Sequence, residues 1–130
     1  MEKLMLSSPQ KTLILIAGML GFLGVAAGAF GAHALKQRLT QEYLGTFEVA
    51  VRYQMYHALA MMVVAILMSF VVNPYMFYSG IAFLIGTLIF SGSLYILVLS
   101  GTRAWGAVTP IGGVILLFGW IFALIGIWKD

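Results

Sequence analysis

Four long runs of this 130-residue chain, residues 12–35, 53–72, 75–99 and 110–128, contain no Asp, Glu, Lys or Arg. Each is close to the roughly 20 residues that a helix rising 1.5 Å per residue needs to cross about 30 Å of hydrocarbon, and is long for a strand. Hydrocarbon offers backbone N–H and C=O groups no partner, so only helices and closed barrels can satisfy them internally. A barrel strand would alternate apolar and polar side chains, whereas Ala60 to Phe70 is almost continuously apolar. The runs predict an all-α polytopic membrane protein, one integral membrane domain over residues 1–130 built as a four-transmembrane-helix bundle. Composition excludes the other classes: 62% of residues are hydrophobic and 8% charged, against about 25% charged in a soluble domain, and disorder needs the opposite balance. With no cysteine there is no disulfide framework.

The boundaries carry local chemistry. Ser8 before Pro9, Asn73 before Pro74 and Thr109 before Pro110 each set a capping side chain ahead of a proline suited to the first helical turn. Spans two and three are joined by little more than Asn73 and Pro74, which makes them antiparallel neighbours, and Ser100 to Thr109 joins three and four. Between the first two spans, Leu39, Tyr43, Phe47 and Ala50 recur at helical spacing while Glu42, Glu48 and Arg52 fall elsewhere. This predicts an amphipathic helix at the membrane surface, either running on into span two or bending near Gly45. Lys3 and Lys11 precede an apolar run with Ala-x-Ala options at residues 27–29 and 32–34, as in a secretory signal, but the run is long for a signal core and is read as a retained span. Cations number three on the side of the tails (Lys3, Lys11, Lys129) and four on the side of the long loops (Lys36, Arg38, Arg52, Arg103), which leaves both orientations open. None of them cluster, so the chain carries no nucleic-acid footprint.

Threading the spans up and down brings most polar residues to one end: His33 from span one, Arg52, Tyr53, Gln54, Tyr56 and His57 from the start of span two, Ser91, Ser93 and Tyr95 from span three, then Arg103, Trp105 and Thr109. The other end shows little beyond Asn73 and Tyr78. Polar groups in a bilayer need partners or water, so convergence at one depth points to a hydrogen-bonded cluster or a small polar cavity. The plainer reading is an interfacial belt, with Tyr and Trp at headgroup level. His33 and His57 sit about one turn inside adjacent spans, and two such histidines can hold a haem iron or a divalent metal; with no carboxylate inside any span, a structural role is the simpler assignment, and no metal or cofactor is assigned.

Small residues form stripes. Gly18, Gly21, Gly24, Gly28 and Gly31 share one face of span one, and Gly112, Gly119 and Gly126 recur every seven residues in span four. Such faces let helix backbones approach closely, and Gly24-xxx-Gly28 is a small-xxx-small pair; the partner helix could lie in the same chain or in another copy. No phosphate loop, nucleophile elbow, metalloprotease pair or intramembrane carboxylate is present, so the chain is expected not to be an enzyme.

The segments Gly28-Ala-Phe-Gly-Ala-His-Ala-Leu35, Tyr53-Gln-Met-Tyr-His-Ala-Leu59, Phe90-Ser-Gly-Ser-Leu-Tyr95 and Thr109-Pro-Ile-Gly-Gly113 with Gly119-Trp120 resemble a family of small bacterial inner-membrane proteins typified by YgdD and YwdK, to which transmembrane protein 256 of eukaryotes is similar. The likeness runs from about Ala17 to Trp120. It implies a four-span protein of the bacterial inner (plasma) membrane, with no activity to carry onto these positions. Three functional expectations follow. The first is a non-enzymatic interaction or assembly protein, a homo-oligomer or part of a larger membrane complex, packing through its glycine faces. The second is a small-ligand protein, for haem, quinone or a lipid headgroup, using the polar end near His33 and His57 with Arg52 or Arg103 at the rim. The third is an oligomeric channel or transporter.

Overall fold

The computed structural model describes residues 3–130, and among these it contains helices and turns but no strand. Four helices are long and apolar enough to cross a membrane: α1 (Ser8–Leu35), α2 (Gln41–Leu67), α3 (Tyr75–Ser100) and α4 (Thr109–Trp128). Within α1 the segment Ala27–Gly31 widens into a π turn before the helix resumes. The amphipathic segment after span one is not a separate element. It forms the first turns of α2, which passes Gly45 without a break, with Phe47 and Ala50 buried and Glu42, Glu48 and Arg52 exposed.

Helix starts follow the proline signals with shifts. Ser7, not Ser8, caps α1, its hydroxyl accepting from Gln10 N while Gln10 Oε1 accepts from Ser7 N. Asn73 Oδ1 accepts from Tyr75 N at the start of α3. Thr109 caps nothing, because its hydroxyl is 2.6 Å from that of Ser93 on α3. Span two ends five residues before its apolar run does: Ser69 N and Phe70 N bond to Ile66 O and Leu67 O, a tightened last turn that leads into the loop. Helix α3 stops at Gly101, whose φ of +72° is a left-handed conformation that costs glycine nothing. A short 3-10 turn, Arg103–Ala107, then leads to α4.

Packing follows chain order. Helix α1 lies on α2, α2 on α3 and α3 on α4, with a small contact between α1 and α3 and no packed face shared by α1 and α4. The core holds Leu13, Met61, Met76 and Phe83, all essentially inaccessible. The outer surface is apolar as well, with Leu15, Phe22, Leu59, Leu117 and Leu124 more than half exposed, while Gln10, Gln54, His57, Ser79, Thr87, Ser91 and Ser93 are buried. Polar groups inside and hydrocarbon outside is the arrangement a lipid solvent selects.

The glycine stripes find partners mainly within the chain. Gly24, Gly28 and Gly31 face Met55, Val51 and Phe47 of α2, and Gly112, Gly119 and Gly126 face Phe90, Phe83 and Met76 of α3. Gly80 and Gly86, which no stripe marked, receive Leu13 and Leu116. Only Gly18 and Gly21 of the two stripes have open space beside them. A Cβ at Gly112 would overlap the Phe90 backbone itself, and backbone cannot swing aside as a side-chain tip can. Gly112→Ala is therefore expected to destabilise the protein by about 1 to 3 kcal/mol, whereas Gly45→Ala, with nothing within 4 Å, is expected to be neutral or to gain up to about 1 kcal/mol of helix propensity. Thermal unfolding of both variants in mild detergent checks the difference.

Candidate intramembrane binding cavity

On α3, Thr87, Ser91 and Tyr95 recur every four residues and so share one face, which turns toward α2 and the middle of α1. There the three helices border an open cavity of about 330 Å³. Its apolar walls include Leu20, Leu23 and Ala27 of α1, Phe47 of α2 and Leu88 of α3, and Gly92 leaves a gap in the α3 wall. The Tyr95 and Phe47 rings meet edge to face at 5.4 Å.

The polar groups of the lining are tied to one another and to the backbone. Gln54 is buried between the helices: its Nε2 donates to Leu20 O at 2.8 Å and its Oε1 accepts from the Tyr95 hydroxyl at 2.7 Å, so one side chain joins α1, α2 and α3. Ser91 Oγ donates to Ala50 O at 2.6 Å. Thr87 Oγ1 is buried and has no hydrogen-bond partner. No carboxylate, histidine, lysine or arginine lines this space. The surface it presents is almost wholly apolar, suited to an apolar body.

The polar end anticipated above therefore divides. His57 belongs to a different cluster, buried against α3 and α4: one ring nitrogen is 2.8 Å from Tyr53 O, the other accepts from Trp120 Nε1 at 3.2 Å, and Tyr53, Phe83 and Trp120 surround the ring. His33 is exposed on α1 and is not among those neighbours, so the two histidines do not face each other across a haem or a metal. Among the described residues no three metal-binding side chains gather. Tyr56 is exposed. Ser93 bonds to Thr109 and to Phe90 O, joining α3 to α4 away from the cavity. Arg52 and Arg103 sit outside, Arg52 3.9 Å from Glu48 and Arg103 3.8 Å from Glu42, both pairs well exposed. The opposite end is also better furnished than expected. Gln10 Nε2 donates to Ala65 O and Ser69 Oγ, Ser79 Oγ to Gly119 O, and Asn73 Nδ2 to Gly126 O.

Sequence reasoning missed Thr87, Gly92 and Phe47 as lining. The period of four that runs back from Tyr95 through Ser91 reaches Thr87 and would have found it, whereas nothing in the sequence pairs Trp120 with His57.

Comparison with known proteins agrees with this architecture. A family model described as "Protein of unknown function (DUF423)" matches residues 27–113. The inner membrane protein YgdD of Escherichia coli K12 is 40% identical over 114 residues, covering 88% of this chain and 87% of YgdD. A membrane protein of Staphylococcus aureus, SAB0533, is 39% identical over 119 residues, covering 92% of this chain and 97% of its own, and one of Staphylococcus saprophyticus, SSP2132, is 40% identical over a similar length. No solved structure matches the chain.

The Gln54–Tyr95 bond is open to a direct test. A double-mutant cycle of Gln54→Leu and Tyr95→Phe is expected to return a coupling of about 0.6 kcal/mol, and at most about 1.7, as for hydrogen bonds between membrane helices. Reversible unfolding in detergent of the two single variants and the double supplies the measurement.

Proposed function

This chain belongs to the DUF423 family of membrane proteins, and on that premise we propose that it is a non-enzymatic binding protein of the inner membrane that holds a small membrane-soluble molecule between α1, α2 and α3. The observation that carries the reading is the cavity itself. At about 330 Å³ it falls within the roughly 300 to 1,000 Å³ of small-molecule sites, and its apolar walls with a few convergent polar groups are the usual lining of one. The absence of a carboxylate or histidine in that lining supports binding over catalysis. The cavity replaces the His33 and His57 region as the place where a ligand would sit.

The test uses a feature of the wall. Gly92 has nothing within 4 Å of a Cβ position, so a side chain can start there, and Gly92→Leu adds bulk at the cavity wall and improves helix propensity. Protein purified in mild detergent is expected to yield a stoichiometric apolar molecule on extraction and mass spectrometry, reduced severalfold in Gly92→Leu. Equal retention by both proteins, or none by either, would rule the reading out.

Assembly is a second reading with one observation behind it. Gly18 and Gly21 have nothing within 4 Å of a Cβ position and border an apolar groove of about 470 Å³ between α1 and α2, edged by Phe22, Leu59 and Met62. Gly18→Leu with Gly21→Leu is expected to lower the mass of the detergent-solubilised particle under this reading; an unchanged mass by light scattering removes it.

A further inference from the structure

We infer that the outer seam between α1 and α2 seats one phospholipid of the bilayer whose headgroup carries a phosphate next to a primary ammonium, with Arg52 taking the phosphate and Glu48 the ammonium. The site is separate from the cavity between α1, α2 and α3, and it includes the groove on which the assembly reading relies.

Two hollows lie along this seam, and both are lined by α1 and α2 alone. The inner one, of about 470 Å³, has Met55, Leu59 and Met62 of α2 on one side and Gly18 and Gly21 of α1 as its floor. The outer one, of about 230 Å³, opens between Glu48 and Arg52 of α2 and Gly28 and Ala32 of α1, with Gly28 inside the π turn. At 100° per residue, Glu48, Arg52, Met55, Leu59 and Met62 stay within an arc of about 80° on α2. The hollows are therefore successive lengths of one groove, apolar within and charged at its mouth.

The chemistry along the groove has the order of a phospholipid. Met62 lies about 15 Å from Arg52 along the helix axis at 1.5 Å per residue, half of the roughly 30 Å of hydrocarbon and so the depth of one leaflet. Arg52 is the first charged residue outside the uncharged run of span two, and Glu48 stands one turn, about 6 Å, further out. Read outward, the groove offers apolar side chains, then a cation, then an anion. A lipid of that leaflet presents an acyl chain, then a phosphate, then an ammonium.

Both charged groups are open to a ligand. Their side chains are more than half exposed and 3.9 Å apart, beyond the about 2.7 to 2.9 Å of a charge-assisted hydrogen bond, and an exposed pair of this kind contributes little by itself. The guanidinium fork matches phosphate oxygens, and the carboxylate accepts from an ammonium, which has three N–H donors. A quaternary ammonium has no N–H to give. An anionic headgroup without an amine leaves Glu48 facing negative charge. The charged mouth is what such a lipid explains and what the apolar helix face of a second copy does not.

Native mass spectrometry of the full chain in mild detergent tests the inference, with dioleoyl phosphatidylethanolamine, phosphatidylcholine and phosphatidylglycerol added singly at equal concentration. The natural chain is expected to retain the ethanolamine lipid about fivefold better than either of the others, the factor one hydrogen bond supplies. Glu48→Arg combined with Arg52→Glu keeps both charges and their pairing but inverts their order, and is expected to abolish the preference with thermal stability unchanged. Gly21→Leu, which raises the groove floor, is expected to weaken all three lipids alike. Equal retention of the three lipids by the natural chain, a preference for phosphatidylglycerol, or a preference that survives the charge exchange overturns the proposal. A preference lost in Gly92→Leu places the lipid in the other cavity and overturns it too, and a lipid-free dimer overturns it in favour of a second copy.

Discussion

Hydrocarbon supplies no hydrogen bonds, and the arrangement of this protein's interior follows from that. Each helix satisfies its own backbone, but a helical carbonyl keeps a second lone pair, and the buried side chains use it. Gln10 and Gln54 join α1 and α2 through Ala65 O and Leu20 O, Ser91 joins α3 to α2 through Ala50 O, and Ser79 joins α3 to α4 through Gly119 O. Every neighbouring pair of helices thus carries at least one bond from a side chain onto the other's main chain. Such bonds fix the height and rotation of each helix in a medium where apolar packing alone distinguishes poorly between registers.

The glycines make those bonds reachable. Gly119 and Gly126 are both the residues whose missing Cβ admits Phe83 and Met76 and the residues whose carbonyls accept from Ser79 and Asn73. Close approach and hydrogen bonding are one feature there, repeated at the seven-residue period of α4. On α1 the same pattern recurs: Gly24, Gly28 and Gly31 receive the larger side chains of α2, so α1 packs on α2 and touches α3 little. The cavity lies where α1 and α3 both border α2, and Ala27 of the π turn is part of its lining.

The number of spans and the neighbour relation of α2 and α3 were legible in the sequence because they depend on run length and loop length, which are local. Glycine spacing identified close-packed faces, and the structure shows six of those eight glycines facing helices of the same chain. The site was legible only in part. Depth in the membrane can be read by threading, but azimuth cannot, so His33, Gln54, His57 and Ser93 share an end while facing three different surroundings. Gln10 was passed over because it precedes the uncharged run, although its bonds to Ala65 O and Ser69 fasten the end opposite the cavity.

Because α1 and α4 share no packed face, spatial order repeats the order in which the ribosome delivers the helices. Each new helix meets a surface already in the membrane, and none waits for a later one to close over it, which keeps loop-closure entropy low. The cavity-bearing trio is complete once α3 has been made, and α4 arrives last to cover the far side of α3 and to bring Trp120 to His57. Synthesis of this protein is then a layering process in which the space between α1, α2 and α3 exists before the chain is finished.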